Sequence, residues 1–596
     1  MTGSYFINTL KSSHAIHGPR HSLWQILLTG LPHRCGSRIA TLACLLLTIA
    51  PWPPYVQADV RNNRSTVESA SLIADFENSI VDSLLVRLKS EFDQLPDNGL
   101  DFEFRETHAT NDKLNILNYY HEQIQSIDTL RLDADRLLRL KLIGYTRLML
   151  QQQARYASQD HALSPYHGPQ VDLLRLLSNY PINPDSGLTP LLEQLTLLTH
   201  SLQQTPTVQE NVTAAECLTL KGDVRKLSDT TVLNKVLRYR LAEMGLPDRI
   251  QNTYLDQFGA ILEASIIPAT NRFYANIDCD SRRPNAHTDP AYYQYRLRRF
   301  SANERSAEST HALGLEELQR IQQALTTQWQ NLHPESYAAD LYDQMRATQD
   351  VVLENDDAAR QQYLSAVTDQ IFDLQQAAPN WVSESPLTSL EIIAAAPLMS
   401  LYALPVEYQR PGEMLGQMVI NFSESSPSWY ELTAKTYYHT IPGLHQVRQQ
   451  PRRLSTLLGA NDDPGYFSGW SLYLTNMALN AAEEGSQERL GLLAMNAELA
   501  AMLVIDTGLH HLNWTRQQAI DFLLANTPTP QPTAARLVDE VRFRPAVMSA
   551  PYLGMLRAKQ LAGDQPATAQ RWRHLLAIGP VPAPLVTELQ AWLKSD

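Results

Sequence analysis

The stretch TYYHTIPGLHQ, residues 436–446, holds the side chains best suited to chemistry: His439 and His445, six positions apart, flank the pair Pro442-Gly443. A hydrolytic zinc site needs three nitrogen or oxygen ligands, an open position for water, and a carboxylate to take the water's proton. Two imidazoles across a turn supply two of those ligands. The other parts are missing nearby. Thr440 follows His439 where a base would be useful, and no glutamate occurs between Gln446 and Glu483. Asp462 and Asp463 are the nearest carboxylates, in NDDPG, a turn composition.

Other candidate chemistry is weaker still. HEQIQ, at His121–Gln125, begins like a zinc helix but offers Gln125 where the second histidine belongs. The adjacent His510 and His511 point in different directions on a helix, so they do not share a metal, and His510 reads as a structural histidine. GYFSGW lacks the spacing of a serine-nucleophile elbow, and no glycine-rich phosphate loop appears. The aromatic clusters AYYQYRLRRF and SWYELTAKTYY suit either a peptide channel or helix packing, and packing is the simpler expectation.

The elements that must position these residues read as helices. Leu72, Ile73, Phe76, Ile80, Leu84, Leu88 and Phe92 recur at three- and four-residue steps and stop at PDNG. LLRLKLIGYTRLMLQQ, LGLEELQRIQQAL and ERLGLLAMNAELAAMLVI show similar spacing. Thr515 with Gln518 forms a capping-box signature, and the proline-rich NTPTPQPT ends the helix it starts. GQMVINFS, residues 416–423, is the clearest strand, while SQDHALSPYHGPQ and SRRPNAHTDP read as loops. A mainly α fold with a small β element follows.

The first 58 residues hold Lys11, Arg20, Arg34 and Arg38 and no acid, a local charge of +4. The whole chain carries −14, so the remainder carries −18, a sign that disfavours nucleic acid. IATLACLLLTIA, residues 39–50, followed by PWPPYVQA, reads as a signal peptide ending at Ala58, with no transmembrane span after its cleavage. Export removes Cys35 and Cys44 and leaves Cys217 and Cys279, expected to pair as one disulfide. The expected product is a periplasmic or secreted body over residues 59–596, with an N-terminal helical lobe (59–310) and a second lobe (311–596) carrying the histidine motif.

Several stretches together resemble one bacterial family, the domain of unknown function eight-eight-five, whose members look like zincin-type metallopeptidases. They include DPAYYQYRLRRF, HALGLEELQRI, LEIIAAAPL, GQMVINFS, IPGLHQ, SGWSLYL and DTGLHHLNWT. The resemblance implies a large helical fold of gluzincin or carboxypeptidase type with a central cleft. It also implies the signature HExxPGHH, followed later by EGW, with histidines and the EGW glutamate on zinc and the HE glutamate as base.

This sequence departs from that signature at its chemical positions. Aligned on Pro442-Gly443, the four positions become Tyr438, His439, Leu444 and His445; aligned on the histidines, His439 and His445 keep the spacing and Thr440 replaces the base. Either way EGW reads Ser468-Gly469-Trp470. Met502 stands where the family tends to carry arginine, and Val547, Met548 and Ser549 replace a PGQ element. The retained frame is Pro442, Gly443, His445, Gly469, Trp470, Tyr473, Asp506, Thr507, Gly508, His510 and Trp514. The expectation is a non-catalytic relative without metal or cofactor that binds peptide or protein. The alternative is an altered zinc hydrolase using His439 and His445 with a substitute carboxylate such as Asp462 or Asp506.

Overall fold

The computed structural model describes residues 62–95, 107–160, 162–182, 186–203, 206–280, 287–301, 304–335, 340–347, 357–377, 388–412, 415–423, 429–450, 463–480, 484–562 and 569–595. The expected signal peptide, with Cys35 and Cys44, lies outside them, as does Asp462. Ser71–Asp596 group into one compact unit.

The elements that frame the motif are, in chain order, helices α1 (Asn62–Asp93), α2 (Ala134–Arg155), α3 (Pro290–Ser301), α4 (Ala307–Leu332) and α5 (Asp357–Ala377). Strands β1 (Ser389–Ala394), β2 (Val406–Gly412) and β3 (Leu415–Ile420) come next. Helices α6 (Leu432–His439), α7 (Leu444–Arg448), α8 (Pro464–Leu479), α9 (Gln487–His510), α10 (Arg516–Asn526), α11 (Gln531–Phe543) and α12 (Ala550–Ala562) follow. The architecture is mainly α with one three-stranded sheet.

Helix α9 is the axis of this body. Its sequence is apolar on every side, which a soluble helix tolerates only when surrounded, and every residue from Leu499 to Gly508 is buried. It is long and apolar enough to cross a membrane, but 89% of its most apolar window is buried against the rest of the protein. Helices α4, α6, α10, α11 and α12 pack around it. On α4 the buried residues Leu318, Ile321, Leu325 and Trp329 keep the helical period that faces it. The expected division between residues 310 and 311 falls inside α4, whose hydrogen-bond ladder runs on from Ser306 to Leu332.

A second close pair is α8 with α12, brought together by glycines. A Cβ on Gly469 would stand 2.2 Å from the backbone carbon of Gly554, so any side chain there forces the helices apart. That contact gives the glycine of SGW a packing reason.

Strand order is β1-β3-β2, with β1 parallel and β2 antiparallel to β3. Met418, Ile420 and Phe422 join Tyr363, Val367 and Ile371 of α5 in a core of their own. Helices between Pro169 and Asn276 enclose two further cores, around Leu177, Leu237 and Phe258 and around Val224 and Phe273. In the latter, Cys217 and Cys279 are joined by a disulfide with Cα atoms 5.6 Å apart.

Local signals behave as elementary chemistry dictates. Thr515 Oγ1 accepts from the Gln518 N–H at 3.2 Å, and Gln518 Oε1 accepts from the Thr515 N–H at 2.8 Å. The proline-rich segment after Asn526 ends α10 and also starts α11, with Pro532 in its first turn, where a missing N–H costs nothing. Helix α1 departs from expectation: Leu84, Leu88 and Phe92 are buried, while Ile73 and Phe76 are 43% and 59% exposed. Its apolar stripe is covered only over its C-terminal half.

Candidate functional site

The motif lies on α6, the Pro442-Gly443 turn and α7, packed against α8 and α9. The turn contains a cis Ile441–Pro442 peptide. It separates the two histidines into different surroundings.

His439 ends α6 with its side chain packed edge-on against Tyr438, ring centroids 4.9 Å apart. Its Nδ1 is buried without a hydrogen-bond partner. Burial, aided by the Lys435 charge one turn earlier, pushes its pKa down to about 3, so the ring is neutral near pH 7.

His445 is seated on the sheet. Its Nδ1 lies 3.1 Å from the Tyr408 hydroxyl on β2, and its Nε2 lies 3.1 Å from the Thr388 carbonyl at the start of β1 and 3.0 Å from Gln449 Nε2. One tautomer donates from Nε2 to Thr388 and accepts at Nδ1 from Tyr408; the other accepts at Nε2 from Gln449 and donates from Nδ1 to Tyr408. Both nitrogens are then used by the protein. Burial pushes this pKa down to about 4, with the Thr388 carbonyl opposing it.

The positions that the resemblance assigns to a histidine and to the EGW glutamate meet each other. Tyr438 is buried, and Ser468 on α8 lies beside its phenol. Ser468 donates its own proton to the Pro464 carbonyl, one turn earlier on the same helix. Burial raises the phenol's pKa, and Ser468 and then the Arg448 guanidinium oppose that rise. Arg448 also stacks over Phe467, 4.7 Å from the ring centroid. Where the resemblance expects a dication and anionic ligands, this chain has a phenol, a hydroxyl and a guanidinium.

Thr440 Oγ1 is spent on the Thr436 carbonyl at 2.6 Å, and Leu444 is an apolar side chain packed on the main core. Asp463 caps α8 through the Tyr466 N–H at 2.9 Å, and Asp506 accepts from the Ser549 hydroxyl at 2.6 Å and the Ala546 N–H at 3.1 Å. Among the described residues, no three His, Cys, Asp or Glu side chains are grouped to hold a metal. The donor set therefore does not fit a catalytic zinc, which needs three convergent ligands and a base.

The DTGLHHLNW element works as a lock. Asp506 ties α9 to residues 546–549, and Thr507 Oγ1 meets His311 Nδ1 at 2.7 Å. A Cβ on Gly508 would stand 2.5 Å from the Trp514 ring, so only glycine lets the indole fold back over the helix. His510 Nε2 lies 2.9 Å from the Val541 carbonyl and Nδ1 lies 2.8 Å from Thr288 Oγ1. Burial pushes His510 down to about 4 and Asp506 up to about 7, although their atoms approach to 3.7 Å. Trp470 and Tyr473 pack edge-to-face on α8, centroids 5.6 Å apart.

Neither aromatic cluster lines a channel in the described residues. Tyr292 and Tyr295 are buried on Asp160, and Tyr293 packs on His510. Trp429 packs on Tyr363. His121, in HEQIQ, faces Gln125 at 3.2 Å.

A charged set beside the motif escaped the sequence reading. Lys435 on α6 is buried and holds Glu431 at 2.8 Å. Burial disfavours its charge, but Glu431 and Glu498 outweigh that and leave its pKa raised. Glu498 on α9, whose pKa burial raises, accepts from Thr529 Oγ1 at 2.9 Å. The spacing of Glu431 and Lys435 is a sequence signal for an ion pair; Glu498 comes from a distant helix and has none.

Comparison with known proteins agrees with the fold. Residues 93–588 match the family described as bacterial protein of unknown function (DUF885). The crystal structure titled a "putative lipoprotein" from Colwellia psychrerythraea is 19% identical with a TM-score of 0.66, covering 89% of this chain and 98% of that one. A second "putative lipoprotein of unknown function", from Shewanella oneidensis, is 15% identical with a TM-score of 0.52, covering 87% and 99%. No curated protein matches.

Proposed function

The chain belongs to the DUF885 family of bacterial proteins of unknown function, and on that premise we propose that it is an exported, non-catalytic member that keeps a metallopeptidase-like frame to bind peptide or protein. The observation that carries this reading is that Tyr438 and Ser468, neutral and side by side, occupy two expected ligand positions. A neutral phenol and a neutral hydroxyl are poor zinc ligands, and neither replaces a carboxylate base. The engagement of both His445 nitrogens and of both Asp506 oxygens points the same way. Export is supported by the basic, apolar N-terminal stretch and by similarity to proteins titled lipoproteins.

The test is hydrolysis of a mixed peptide library by the purified mature chain with added zinc. The reading expects no zinc-dependent cleavage. Turnover that a chelator abolishes and zinc restores would overturn it.

One observation favours an altered metal site instead: His439 is neutral, and its Nδ1 is buried without a partner, as an unliganded metal ligand would be. In that case His439→Ala would lower zinc content. Unchanged content removes this second reading.

A further inference from the structure

We draw no further inference here: the strongest candidate, the apolar stripe that Ile73 and Phe76 leave exposed on the N-terminal half of α1, carries nothing, because nothing in the structure shows what covers it.

Discussion

Tyr438 on α6 and Ser468 on α8 lie side by side between those helices, with the Ser468 hydroxyl donating to the Pro464 carbonyl. A net-neutral pair there needs no cation and tolerates burial, whereas unpaired carboxylates in the same place would not.

This pair predicts energetic coupling. Tyr438→Phe and Ser468→Ala should each cost about 1 kcal/mol, and the double variant should depart from their sum, because adjacent groups in one buried site couple. Urea unfolding of the four-member cycle checks it; strict additivity would mean the groups do not interact.

Gly469→Ala should destabilise by about 3 kcal/mol or more. The new methyl meets the backbone of Gly554 rather than a movable side chain, so α8 and α12 must separate. The same change at Gly222, where a Cβ meets nothing within 4 Å, is the control and should have little or no cost. Thermal melts of the two variants make the comparison.

Lys435→Met should cost about 3–5 kcal/mol, since it leaves Glu431 and Glu498 close together in a buried site without their cation. Adding Glu431→Gln should recover part of the loss. Stability measurements on the single and double variants test this, and a harmless Lys435→Met would show that the cluster is not electrostatically coupled.

Stability should fall on mild acidification. His439, His445 and His510 titrate at about 3, 4 and 4 in the folded chain, below the ordinary 6.5. Each therefore contributes stability that is complete above about pH 6.5 and lost as the pH falls toward 4. Asp506 runs the other way: raised to about 7, it contributes stability at low pH that is lost as the pH rises through 7. Three histidines against one acid leave a net loss on the order of 2–5 kcal/mol between pH 6.5 and 4.5. Urea midpoints at pH 7 and pH 5 should differ accordingly.

Reduction of the Cys217–Cys279 bond, which closes a loop across 62 positions, should cost about 4 kcal/mol by the chain-entropy argument. Thiol titration of the unfolded mature chain should find no free thiol before reductant and two after.

Local signals made much of the fold legible. The three- and four-residue spacing in α4, the Thr515–Gln518 box and the GQMVINFS strand each depend on neighbours in sequence, and each appears in the structure. What could not be read is tertiary. Nothing in IPGLHQ reveals that His445 turns onto Tyr408 and Thr388, because those partners come from strands 37 and 57 residues earlier. The exposure of Ile73 and Phe76 depends equally on what other helices fail to cover. The motif's loss of carboxylates was visible in the sequence; the side-by-side placement of Tyr438 and Ser468 was not.

Zinc stoichiometry tests the central claim most directly. The mature chain would be purified without chelator, offered excess zinc, desalted and measured by elemental analysis. The account predicts no tightly held zinc, because Tyr438 and Ser468 are neutral, poor ligands and both His445 nitrogens already have protein partners. About one zinc per chain, lost in His439→Ala or His445→Ala, would contradict it.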